Sequence, residues 1–163
     1  MEGLTTEFTF DAAHRLFEYP GKCSCVHGHT YRVVLSAKFD TQLLPGKPFL
    51  MDFRTFKSLL KTEINNWDHK VILYKEDTLC DVLKEYGSTR AGLIIFEKQP
   101  TAENMAHFLA KRAAHNYGQY VSPFELRDWE AATLDSLSTK RDCVFTVTVY
   151  ETPTNAVTAT SED

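Results

Sequence analysis

The sequence predicts an α+β domain in which amphipathic helices cover a sheet of alternating strands. Three observations carry this. Residues 5 to 14 and 143 to 151 alternate apolar and polar side chains with the period of half-buried strands. Residues 52 to 67 repeat apolar side chains at spacings of three and four, which is one face of a helix. A chain of 163 residues, 43% hydrophobic and 12% aromatic, is enough to bury one core.

In chain order, the first strand sets Phe8, Phe10, Ala12 and His14 on one parity against Thr9, Asp11 and Ala13 on the other. Tyr19-Pro20-Gly21-Lys22 signals a turn, and residues 30 to 39 form a second strand. The simplest pairing of the two is antiparallel and brings His14 towards His27 and His29. Leu44-Pro45-Gly46-Lys47-Pro48 reads as a loop. Asp52 then caps a helix with an apolar stripe of Phe53, Phe56, Leu59, Leu60, Ile64 and Trp67. Asp68-His69 follows at once. A short helix from Thr78 to Tyr86 ends at Gly87, and residues 92 to 97 form a short strand. Thr101 caps another helix, whose Ala106, Leu109, Ala110 and Ala113 face inward until Gly118 stops it. Residues 119 to 142 read as an irregular excursion and 154 to 163 as a frayed tail. No repeat or second domain is evident, so residues 1 to 163 are expected as one domain.

Net charge is -4, with an isoelectric point near 5.9 and no block of Lys and Arg. That predicts no broad nucleic-acid footprint and no polybasic membrane patch. No leader pattern opens the chain and no apolar run approaches bilayer thickness, so a cytoplasmic protein is expected. The cysteines at 23, 25, 80 and 143 lack the density of a secreted scaffold and are expected as reduced thiols.

The chemistry concentrates in Cys23-Ser24-Cys25-Val26-His27-Gly28-His29-Thr30-Tyr31. His27 and His29 project from the same face of an extended chain, and a third imidazole on a neighbouring strand completes an open three-histidine zinc site. The alternative is a structural zinc knot of Cys23, Cys25, His27 and His29, although positions 23 and 29 of a strand lie roughly 20 Å apart. His107 and His115, within a helix, read as ordinary hydrogen-bonded residues. By itself, Asp68-His69 reads as a helix cap and a surface histidine. Glu151 is a charge on the apolar parity of Phe145, Val147 and Val149, which is costly unless paired. Thr101 and Glu103 suffice as N-cap and first-turn carboxylate.

The ordered set Phe-x-Ala-Ala-His, Lys-Cys, His-Gly-His-x-Tyr, Asp-His, Pro-Thr-x-Glu-Asn and a final Tyr-Glu-Thr runs from Glu7 to about Asn155. It resembles the 6-pyruvoyltetrahydropterin synthase family, and within it the bacterial 6-carboxytetrahydropterin synthases that make the deazapurine precursor of queuosine. The resemblance implies a T-fold, a small four-stranded antiparallel sheet with two main helices on one face, whose subunits join sheet edges into trimeric barrels that stack as homohexamers with active sites at subunit interfaces. It implies that His14, His27 and His29 hold Zn2+, that Cys23 is the catalytic base, that Asp68 and His69 form a proton-relaying dyad, and that Glu151 anchors a pterin ring. Thr101 and Glu103 match residues that contact the pterin, while Cys25 falls where the family tolerates other residues. Segments 70–99 and 119–142 are longer than in the shortest members.

The implied reaction converts 7,8-dihydroneopterin triphosphate to 6-carboxytetrahydropterin, acetaldehyde and triphosphate. The alternative product is 6-pyruvoyltetrahydropterin, formed without carbon loss. Cys23 lies four residues before His27, the spacing of the carboxy type. Two other classes are a zinc hydrolase or pterin-binding protein, which needs neither Cys23 nor Glu151 as a critical group, and an interaction module, which needs no metal.

Overall fold

The computed structural model describes residues 2–39, 51–86, 92–124 and 143–163. Its centre is a ribbon of β1 (Glu2–His14) and β2 (His27–Phe39), antiparallel in unbroken register from Glu2 opposite Phe39 to His14 opposite His27. A single 3-10 turn, Lys22–Ser24, lies in the connection. On one side β2 pairs antiparallel with β5 (Cys143–Tyr150), and β5 with β6 (Ala156–Thr160). On the other side β3 (Lys70–Tyr74) runs parallel to β1, and β4 (Leu93–Phe96) parallel to β3. Among the described residues the sheet is therefore six-stranded and mixed, in the order β4-β3-β1-β2-β5-β6.

Four strands are antiparallel as expected, but they are β1, β2, β5 and β6. The strand expected at 92–97 is present and sits parallel at an edge. Residues 154–163, expected to fray, instead carry β6. Ala159 is 2% exposed against the core, and Ser161 exchanges hydrogen bonds with the Phe145 backbone, its N–H donating at 2.8 Å and its Oγ accepting at 3.1 Å. Small polar side chains do not prevent a strand whose main-chain groups pair with a neighbour.

The helices are α1 (Phe53–Trp67), α2 (Leu79–Glu85) and α3 (Ala102–Phe124). Asp52 caps α1 by accepting from the Arg54 and Thr55 N–H groups at 2.9 and 3.2 Å. Phe56, Leu59, Leu60, Ile64 and Trp67 are buried, whereas Phe53, in the first turn, is 65% exposed. α2 takes its cap from Asp77 and not from Thr78: Asp77 Oδ1 accepts from the Leu79 N–H at 2.8 Å. The buried Asp77 carboxylate also pairs with Arg15, tying α2 to the exit of β1. α3 runs on through Gly118 to Phe124, because one glycine lowers helix stability by about 1 kcal/mol and a packed apolar stripe outweighs that. Gly87 and segments 44–48 and 125–142 lie outside the described residues.

α1 packs on β1, and α3 on β5 and β6. The sheet side of the core is Phe8, Phe10, Ala12, Tyr31, Val33, Leu35, Phe145, Val147 and Val149, the inward parity of the three central strands. Phe10 stacks on Tyr31 at 4.9 Å and meets the edge of Trp67 at 5.8 Å. No helix among the described residues is long and apolar enough to cross a membrane.

Candidate active site

His14 ends the inward parity of β1 and stands opposite His27, the first residue of β2, while His29 follows two residues later on the same face. The three rings converge, with centroids 4.6, 5.2 and 5.0 Å apart, and one nitrogen from each lies within 4.8 Å of the others. Backbone carbonyls set two of the tautomers. His14 Nδ1 lies 2.7 Å from the Pro100 carbonyl oxygen and His27 Nδ1 lies 2.8 Å from that of Cys25, so each Nδ1–H donates and each Nε2 keeps a lone pair. Burial lowers the His14 pKa below its ordinary 6.5, with the Pro100 hydrogen bond opposing, so the ring is held neutral.

His14 Nε2 and His29 Nε2 are buried and without a hydrogen-bond partner among the described residues. Glu151, just past the end of β5, places Oε1 3.4 Å from the first and 3.9 Å from the second. A neutral imidazole lone pair facing a carboxylate is repulsive, and a cation between the rings would satisfy all three nitrogens. The donor set fits a metal that takes three histidines and keeps an open position. Neither Cys23 nor Cys25 belongs to this group, which removes the four-residue knot. Cys25 contributes its carbonyl, not its thiol.

Cys23 lies on the 3-10 turn, half-buried, and its carbonyl accepts from the Leu16 N–H at 2.8 Å, two residues beyond His14. Thr101 adjoins Pro100, the residue that holds His14, and its Oγ1 gives only a long 3.4 Å contact to the Asn104 N–H at the start of α3. Glu103 is exposed in the first turn of α3. The loop before α3 is fastened to the exit of β1 by Gln99, whose amide accepts from the Phe17 N–H at 3.0 Å and donates to the Phe17 carbonyl at 2.9 Å.

Asp68 and His69 form a separate cluster. Asp68 terminates α1, and its Oδ1 lies 3.0 Å from His69 Nδ1. The Asp11 N–H donates to Asp68 Oδ1 at 3.0 Å, and the Asp11 carbonyl accepts from the His69 N–H at 2.7 Å. The Asp11 hydrogen bond foremost, with His69, holds the Asp68 carboxyl below the usual range. His69 adopts a left-handed φ of +59°, an uncommon conformation for a residue with a Cβ, and its side chain is 77% exposed. Asp11 is on the parity opposite to His14, so this cluster and the three histidines occupy different faces of β1.

The three histidines and Glu151 singled out in the sequence are brought together, whereas the sequence did not point to the Pro100 and Cys25 carbonyls, to Asp11 as the support of Asp68 and His69, or to the Tyr31 hydroxyl, which is buried beside His14 and His29 without a hydrogen-bond partner among the described residues. Backbone carbonyls leave no trace in side-chain pattern; Tyr31 was visible as the last residue of His-Gly-His-x-Tyr.

Residues 3–162 match the family described as 6-pyruvoyl tetrahydropterin synthase. A Haemophilus influenzae protein named 6-carboxy-5,6,7,8-tetrahydropterin synthase is 31% identical over 136 residues, covering 80% of this chain and 93% of its own. One of the same name from Rickettsia conorii is 34% identical over 111 residues, covering 64% and 75%. Among solved structures, Plasmodium vivax 6-pyruvoyltetrahydropterin synthase superimposes with a TM-score of 0.67 at 17% identity over 98% of this chain and 96% of that one. That likeness establishes the fold.

Proposed function

The chain belongs to the 6-pyruvoyl tetrahydropterin synthase family, and on that premise we propose that it is a zinc-dependent lyase of the 6-carboxytetrahydropterin synthase type. It takes 7,8-dihydroneopterin triphosphate and one water to 6-carboxytetrahydropterin, acetaldehyde and triphosphate. Electrons stay within the substrate: the side-chain carbon that becomes the carboxylate is oxidised as the ring C–N double bond is reduced, so no redox cofactor is needed. The single observation that carries this reading is the convergence of His14, His27 and His29 with the Glu151 carboxylate on one inward face.

His14, His27 and His29 would hold the zinc, which supplies a Lewis acid that lowers the pKa of substrate hydroxyls. Glu151 accepts hydrogen bonds from the ring N–H and exocyclic amine of the pterin and fixes its orientation. Cys23 takes the carbon-bound proton as thiolate. Asp68 holds the His69 Nδ1–H, leaving Nε2 to move that proton onward. Thr101 and Glu103 line the approach to the ring. A thiol base must stay reduced, which suits the cytoplasm.

Two observations support sites shared between subunits of a homohexamer. The dyad lies on the other face of β1 from the histidines, with the His69 ring turned to solvent. Among the described residues the outer strands β4 and β6 are also unpaired on one side, and closure against another copy would cover those edges. The relatives' names support the carboxy product, while its use in making queuosine rests on the family resemblance alone.

The deciding experiment incubates zinc-loaded protein with 7,8-dihydroneopterin triphosphate and an acetaldehyde trap, followed by mass spectrometry. The expected result is the 6-carboxytetrahydropterin mass with trapped acetaldehyde. A 6-pyruvoyl mass without acetaldehyde overturns the product, and untouched substrate overturns the activity.

A further inference from the structure

We infer that Gln99 is a positioning residue for the metal: by clasping the Phe17 backbone it fixes the Pro100 carbonyl that orients His14, and so sets how tightly the three histidines bind zinc. This deepens the metal reading above and rests on it. The ladder of β1 stops at His14, the last residue set opposite β2 and β3. Phe17, three residues on, still has two main-chain groups to satisfy, and Glu18 turns the chain away with a left-handed φ of +59°. The Gln99 amide takes the place of a neighbouring strand there, accepting from the Phe17 N–H at 3.0 Å and donating to the Phe17 carbonyl at 2.9 Å.

The next residue is Pro100, buried, whose carbonyl oxygen lies 2.7 Å from His14 Nδ1. The far side of this turn is tied to α3: the Gln99 carbonyl accepts from Asn104 Nδ2 at 2.9 Å and from the Thr101 N–H at 2.8 Å. The Pro100 carbonyl is thus held between two side-chain amides, and that of Gln99 reaches back to the segment that carries His14. His27 is served differently, since its Nδ1 meets the Cys25 carbonyl two residues away in its own segment. His14 takes its carbonyl from a residue 86 positions later in the chain. The outer partner of a metal-binding histidine fixes its tautomer and ring direction. A partner so remote does this only while the two segments are held together, and the Gln99 clasp on Phe17 holds them.

The test measures the zinc dissociation constant of the full chain by competition with a chromophoric chelator, at a temperature where circular dichroism shows each protein folded. Wild type is compared with Gln99→Met, which keeps the length of the side chain and loses both bonds to Phe17. The control is Ser161→Ala, which removes a clasp on the Phe145 N–H where β5 is set opposite Ala37, away from the histidines. The Gln99→Met constant should rise about 3- to 10-fold, less than the loss of a partner that touches a ligand directly, and Ser161→Ala should match wild type. Should Gln99→Met not fold, Gln99→Asn, which keeps the amide but falls one carbon short of Phe17, is read in the same way. Equal constants in wild type and the Gln99 variant overturn the inference and leave the metal site standing. An equal rise in Ser161→Ala overturns it too, because zinc affinity would then follow overall stability. A wild type that binds no zinc overturns the metal reading together with this inference.

Discussion

The two titratable clusters on β1 differ in almost every physical respect. The histidine group lies inside, built on two fully paired strands, with the His14 and His27 tautomers fixed by carbonyls and one nitrogen of each ring converging. The Asp68–His69 pair stands at a helix end, largely in solvent, and its shape comes from two main-chain bonds to Asp11 and one left-handed residue. One is preorganised for a ligand that the chain can hold alone. The other turns its imidazole to solvent, which is the exposure that the proposed sharing of the site between subunits draws on.

The largest effect should separate metal from chemistry. His27→Ala is expected to lose stoichiometric zinc by elemental analysis and with it all turnover, while Cys23→Ala keeps zinc and loses turnover. Full zinc in the first variant, or unchanged turnover in the second, would break the assignment of the inner cluster. Next, His69→Ala should retain zinc and lose about 10²- to 10⁴-fold in turnover, the usual scale for a general acid or base. Co-expression of His69→Ala with Cys23→Ala chains sharpens the contrast. If each site draws the thiol from one chain and the imidazole from another, random pairing restores about a quarter of wild-type turnover. No restoration would place both groups in one chain.

The smallest effect is on stability in acid. Asp68 has its carboxyl pKa depressed in the folded chain, so the unfolded chain takes up a proton first as the pH falls. The stabilisation is full above the unfolded value of about 3.9 and is lost as the pH drops through the lower folded value. Asp68→Asn should therefore flatten the acid limb of the denaturation midpoint measured between about pH 5 and 2. An unchanged slope would mean that the Asp11 N–H, foremost, and His69 do not hold the Asp68 carboxyl below its usual range in the folded protein.

The inner cluster was legible in the sequence because a strand has period two: His-x-His states a shared face without further help, and Glu151 betrayed itself as a charge on the parity of Val147 and Val149. β3 was not legible. Lys70-Val71-Ile72-Leu73-Tyr74 buries the adjacent Ile72 and Leu73 on opposite faces, so it has no alternation to read. β6 was hidden for the opposite reason, since Ala156-Val157-Thr158-Ala159-Thr160 is held by main-chain pairing with β5 and sends little into the core. The outer cluster was legible only as two adjacent residues. What holds it is the backbone of Asp11, some 57 positions earlier in the chain, and no side-chain pattern records that.

The unbroken ladder between β1 and β2 has a further consequence, for quality control during folding. A slip of one rung would turn every inward side chain of one strand to solvent, and would send His27 and His29 to the far side of the sheet from His14. Zinc at this site would thus be captured only by chains whose ribbon has closed in the right register, and released by those that have not. On the proposed function the ion would be a proofreader of strand alignment as well as a reagent, and metal content in a freshly refolded sample would measure how much of it has folded correctly.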